Sequence, residues 1–183
     1  METEDWMLAM AERSLDVADP VTAQTGIQAS ISAVWSVIAA PGGLESFHPF
    51  CAANTVVKWP GADAEDLVTY YSGLKYRRRF RQWYDHEGYD LELGVGDRVS
   101  AYVQWRLRTC GPTSRLTIRV YPLLISIYSP AKKAAFLERQ FGPLLRHYLD
   151  CVVAGARHRV ETGLPVREDQ FGRNEIYSAR GDG

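Results

Sequence analysis

Apolar and polar positions change period twice along the chain, from mixed helix and strand to strand and then back to helix. Residues 3 to 15 carry a loose helical stripe of Trp6, Met7, Met10 and Leu15, with Thr3 as a candidate cap. Glu4 and Asp5 suit the positive end of that helix. Pro20 ends it, and Val21 to Gln28 then alternates as a strand does, with Val21, Ala23, Thr25 and Ile27 on one side. Ser30 is a candidate N-cap for a helix over Ile31 to Ala40 that buries Val34, Trp35, Val37 and Ile38. Pro41, Gly42 and Gly43 break it, and a second short helix runs from Leu44 to Phe47 before Pro49.

From Thr55 the period is two. Strands are expected over Thr55–Trp59, Asp66–Ser72 and Tyr76–Tyr84, then over three further alternating runs. Those runs are Tyr89 to Val95, Val99 to Arg108 and Arg115 to Val120, set off by turns at Asp85–Gly88 and Cys110–Thr113. The pattern predicts an antiparallel meander with one dry and one wet face. After Pro130 the helical period returns and holds to about Glu161, placing Leu137, Phe141, Leu144, Leu145, Tyr148 and Val152 on one face. Gly142 and Pro143 predict a kink there, because proline lacks an N–H and crowds the preceding turn. Gly163 and Pro165 end the helix, and the polar, aperiodic residues that follow read as an extended tail. The division expected is a helical extension over 1–16, one α+β domain over 17–162 and a tail over 163–183.

Composition narrows the function classes. At 183 residues one domain suffices, and 46% hydrophobic against 23% charged residues excludes global disorder. A net charge of -1 gives no electrostatic reason to expect nucleic acid or an anionic membrane as partner. Cys51, Cys110 and Cys151 match no metal or disulfide spacing. Their odd number, and an acidic start where a signal peptide would be basic, point to a reducing, cytoplasmic setting. No apolar run approaches the roughly 18 residues of a membrane span, so stable membrane insertion is not expected.

The order of elements, and three local segments, resemble the SRPBCC superfamily of START, pollen-allergen-like and polyketide cyclase/dehydrase-like proteins. Val34-Trp35 resembles a pair usual in its first helix. Gly42 to Pro49 resembles its glycine-glycine-leucine to tryptophan-histidine-proline segment, with Phe47 where tryptophan is common. Tyr76 to Phe80 resembles a strand that in relatives carries an acid where this chain has Arg78. The likeness covers roughly residues 17 to 162. It implies a helix-grip fold, a curved antiparallel sheet wrapped around the long C-terminal helix, with a cavity between them. It implies no particular reaction, since that fold serves carriers, receptors and enzymes.

The candidate site residues follow from the resemblance and from strand register. The resemblance places His48 near the cavity mouth, where it makes a ligand hydrogen bond or proton transfer, or else caps the turn beside Pro49. In the strand, Arg77, Arg79 and Arg81 face solvent, while Tyr76, Arg78, Phe80, Gln82 and Tyr84 face the cavity. A buried Arg78 needs an anion, either a protein carboxylate such as Glu45 or the ligand. Tyr70, Tyr76, Trp105, Phe141, Leu144 and Tyr148 complete the expected lining. His147 and His158 lie about 16 Å apart along the helix, too far to share an ion, and His147 with Cys151 supplies only two ligands. His86 sits in a turn. No metal and no cofactor is expected. The reading is a binder or carrier of a small hydrophobic molecule, whether lipid, polyketide or aromatic compound. The alternative is a cyclase- or dehydratase-like enzyme using cavity His, Arg and Tyr.

Overall fold

The computed structural model describes residues 3–12, 15–125 and 129–181. Helix α1 (Thr3–Glu12) leads into strands β1 (Leu15–Val17) and β2 (Val21–Ile27), then helices α2 (Ile31–Ile38) and α3 (Leu44–Phe47). The meander comprises β3 (Cys51–Lys58), β4 (Glu65–Tyr70), β5 (Lys75–Tyr84), β6 (Gly88–Val95), β7 (Arg98–Cys110) and β8 (Thr113–Ile125). Helices α4 (Pro130–Phe136) and α5 (Gly142–Thr162) flank a π-helical turn at Leu137–Phe141. All strand pairs are antiparallel, in the order β1-β8-β7-β6-β5-β4-β3, with β2 also on β8. Sequence neighbours β2 and β3 thus lie at opposite edges, and α2 and α3 span the gap. The sheet packs against the long C-terminal helix, which is the helix-grip arrangement.

Local chemistry accounts for the boundaries. Ser30 Oγ accepts from the Ala33 N–H, as a cap should. Gly163 takes a left-handed φ of 71° and closes α5. The expected kink is the π-helical turn: Pro143 has no N–H, and the Gly142 N–H bonds back to the Leu137 carbonyl, five residues away. A Cβ on Gly142 would stand 2.3 Å from that oxygen, so only glycine permits the bond. Gly155 is needed for a different approach, because its Cβ would lie 2.1 Å from the carbonyl oxygen of Phe47, where α5 crosses the end of α3.

Four expectations are corrected. The first helix spans Thr3–Glu12, and Leu15, expected to end it, lies instead in Leu15–Val17, which pairs with Leu123–Ile125 because β8 extends past β2 and offers a free edge. The register shifts between Phe80 and Gln82, so β5 carries a bulge. Beyond it the faces exchange: Trp83 joins the core beside Phe80 and Tyr89, while Tyr84 lies under Arg106 on the outer face. The outer face is not simply wet. Helix α1 covers part of it: Trp6, fully buried, stacks on Tyr102 at 4.7 Å and donates Nε1–H to Glu92 (2.8 Å). Glu92 also accepts from Arg81, and Asp90 from Tyr102 and Arg106, so these buried acids are satisfied.

The fourth correction concerns the tail. Residues 164–180 run back along the domain as a strap. The Val166 N–H donates to Ser46, that of Asp169 to Pro49, and that of Ser72 to the Tyr177 carbonyl. Asn174 Nδ2 reaches the Leu144 carbonyl (3.1 Å), His147 Nε2 the Arg173 carbonyl (2.9 Å), and Cys151 Sγ the Phe171 carbonyl (3.2 Å). His147 and Cys151 are therefore strap anchors. No helix among the described residues is long and apolar enough to cross a membrane.

Candidate functional site

Between sheet and helix lies a mostly apolar chamber of about 150 Å³. Inward residues of β6 to β8, such as Leu91, Val103 and Ile118, form one wall, and Leu145, Leu149 and Val152 of α5 form the other. Of the expected lining, His48, Tyr70, Tyr76, Arg78, Trp105, Phe141 and Tyr148 are at this chamber. Phe80 and Leu144 are not. Phe80 is buried in an aromatic cluster, with Trp59 and Tyr89 ring centres each at 5.0 Å. Leu144 sits at the edge of the helical stripe, beside the strap, and Leu145 takes the wall position.

The polar end of the chamber is a hydrogen-bonded chain. His48 follows α3 and is held there by its own N–H bond to the Leu44 carbonyl. The Phe50 N–H donates to its Nδ1 (3.2 Å), which closes the turn beside Pro49. That leaves the proton of the neutral ring on Nε2, which faces Tyr148 Oη at 2.8 Å. Tyr148 Oη lies 3.0 Å from Tyr70 Oη. The turn-capping and cavity-facing roles weighed for His48 are thus divided between its two nitrogens.

Electrostatics keep this chain neutral. Burial, with a further contribution from Arg78, lowers the His48 pKa to about 3, so the ring is uncharged near neutrality. Burial raises Tyr70 and Tyr148 well above their usual range, so both keep their O–H. Tyr177 packs 4.5 Å from each ring. Phe50 N–H, His48 Nε2–H and the two phenols supply four hydrogens, while three contacts join the groups. One phenol hydrogen, from Tyr70 or Tyr148, has no acceptor among the described residues.

Arg78 also reaches the chamber wall, but a carboxylate already holds it. Its Nε and Nη2 donate to the two oxygens of Asp66 at 2.8 and 2.5 Å, and Asp66 is fully buried. Burial opposes the charge on Arg78, and Asp66 with nearby phenols more than offsets that and raises its pKa. The partner is therefore Asp66 and not Glu45, which accepts from the Asn54 N–H. The β4–β5 hairpin pairs Asp66 opposite Arg78, so register about the Ser72-Gly73 turn carried the signal.

Sequence reasoning also missed Ile176 and Tyr177, strap residues that line the chamber. Their only mark is being an apolar pair in a polar stretch. Burial pushes the Cys51 thiol up to about 12, so it is no thiolate nucleophile at neutrality. Among the described residues no three His, Cys, Asp or Glu side chains gather as a metal site would require.

No protein-family model matches the chain, and no curated protein matches it in sequence. Solved structures do share its fold. TTHA0849 from Thermus thermophilus has a TM-score of 0.60 at 20% identity, over 77% of this chain and 96% of that one. DynU16, a protein in the dynemicin biosynthetic locus, has a TM-score of 0.59 at 16% identity over 80% of this chain. This chain spans only 49% of DynU16. The Ara h 8.0201 structure has a TM-score of 0.53 at 10% identity, over 77% of this chain and 96% of that one. Identities this low establish a common fold.

Proposed function

Because the chain has the helix-grip fold of the SRPBCC superfamily, typically the host of a ligand cavity, we propose that it binds or carries a small hydrophobic molecule there. Lipid, polyketide and aromatic compounds are the candidate classes. The observation that carries this reading is the apolar chamber with a surplus phenol hydrogen at its polar end. Apolar walls supply affinity at roughly 25 cal/mol per Å² buried. The surplus donor selects a ligand that places one carbonyl or hydroxyl oxygen beside Tyr70 and Tyr148. A chamber of this size accommodates a single aromatic ring.

A cyclase- or dehydratase-like reaction is the second reading, favoured by one observation: a phenol that can hold a carbonyl can also polarise it. Against it, His48 is engaged at both ring nitrogens and Arg78 is tied to Asp66, so neither stands ready as a free acid or base. Titration with acetophenone and with ethylbenzene, followed by tryptophan fluorescence, tests the binding reading. The ketone should bind roughly two- to tenfold tighter, the range of one net hydrogen bond, and Trp105→Phe should reduce the signal. If neither binds and native mass spectrometry finds nothing co-purifying, the reading fails. Conversion of a co-purified molecule to a new mass on incubation favours the second reading.

A further inference from the structure

We propose that the ligand is an amphipathic anion, with its mostly apolar body and one phenol-bound oxygen in the chamber and a carboxylate in a basic groove that adjoins the chamber. This rests on the cavity-binding reading and adds the ligand's charge and direction.

The groove has a volume of about 750 Å³ and lies between the β7–β8 edge and the helical segment from α4 to the π-helical turn. Ser100, Pro122 and Phe141 belong to both spaces, so chamber and groove adjoin. Apolar side chains form its floor: Leu123, Leu124 and Phe136, the last 44% exposed and stacked on Phe141 at 5.8 Å. Such a floor, together with polar groups of one sign, suits the path of a hydrocarbon segment that ends in a charge.

That sign is positive. Among the described residues, Lys132, Lys133 and Arg139 line the groove and no aspartate or glutamate does. Elsewhere the arginines of β5 and β7 that approach carboxylates are paired: Arg77 and Arg79 with Glu65, Arg78 with Asp66, Arg81 with Glu92, and Arg106 with Asp90. Lys132 and Arg139 have no ion-pair partner among the described residues. In a chain of net charge -1, two unneutralised cations beside an apolar cavity complement an anion.

Helix geometry gives the ligand's length. Phe141 stands at the boundary of the two spaces, and Tyr148, at the phenol chain, is seven residues further on, about 10 Å along the helix axis. A ring whose hydroxyl or carbonyl oxygen meets the phenols, and a chain of about six carbons, then bring a terminal carboxylate to the groove.

The test uses 6-(4-hydroxyphenyl)hexanoate, 6-(4-hydroxyphenyl)hexan-1-ol and 6-(4-hydroxyphenyl)hexylamine, titrated calorimetrically into the full chain and into Lys132→Gln/Arg139→Gln. Both substitutions are on exposed helix positions, and circular dichroism checks that the fold persists. In about 20 mM salt the acid should bind roughly fivefold tighter than the alcohol, from two exposed charge contacts, and the amine more weakly than either. The acid's advantage should disappear in the double variant and shrink in about 0.3 M salt, where charges are screened beyond a few ångströms. The alcohol should bind both proteins alike. Equal binding of all three to the parent, or an acid preference that survives the double variant, overturns the anionic assignment and leaves cavity binding standing. If none of the three binds, the cavity-binding reading itself falls.

Discussion

His48 provides a sharp test of the site, because its neutrality is a property of the fold. The perturbation is a fall in pH, compared between the parent and His48→Gln. In the unfolded chain a histidine titrates near the ordinary 6.5, whereas burial in the fold lowers His48 to about 3. Between those values the unfolded state takes up a proton that the folded state refuses. Stability from this group is therefore complete above pH 6.5 and is lost as pH falls toward 3. Each pH unit within that window changes stability by about 1.4 kcal/mol, and the integrated loss between about pH 7.5 and pH 5 comes to about 2 kcal/mol. Urea denaturation at a series of pH values reads this directly. Every other ionisable group is common to the two proteins, so its contribution cancels in the comparison. Glutamine does not titrate, so His48→Gln should lose about 2 kcal/mol less than the parent over the same range, whatever its stability at pH 7.5. Parallel profiles would mean that His48 takes up its proton in the fold, and the assignment of a neutral Nε2–H donor to Tyr148 would be wrong.

Two further outcomes follow from the same geometry. Arg78→Met should cost about 3–5 kcal/mol by leaving the fully buried Asp66 unpaired, and adding Asp66→Leu should recover most of that in urea unfolding; a tolerated single variant would show that the pair is not the buried unit described. Tyr177→Ala should cost about 3–5 kcal/mol and expose the chamber to an apolar dye, whereas Tyr177→Phe, which keeps the ring between Tyr70 and Tyr148, should stay within about 1 kcal/mol; equal behaviour of the two variants would refute a packing role for the strap.

Much of the fold is legible because its signals are local. Alternation places the strands of the meander, Ser30 caps α2, Gly142 and Pro143 mark the π-helical turn, and Gly163 ends α5. Each rests on backbone or side-chain chemistry within a few residues of itself. The bulge in β5 was not legible. It changes which face each residue takes, yet Trp83 and Tyr84 are both aromatic, so the pattern reads equally well in either register. The docking of α1 was also hidden, since Trp6 and Glu92 lie 86 positions apart and the indole meets its acceptor only in the folded chain.

The candidate site divides along the same line. By itself the sequence determined the class of wall: aromatic and aliphatic side chains on strand and helix faces that must meet, with His48, Arg78 and several phenols among them. Tertiary structure alone decided what those polar groups do. Asp66 across the hairpin holds Arg78, so its charge is already answered. Tyr148 on α5 brings His48 and Tyr70 into one chain, although these residues lie 100 and 78 positions apart from it. The strap closes over them through backbone hydrogen bonds and a few buried side chains, which leave no periodicity to read. Hydrophobic burial is set by composition and spacing, whereas a hydrogen bond depends on where two particular atoms come to rest, and for distant residues only the folded chain specifies that.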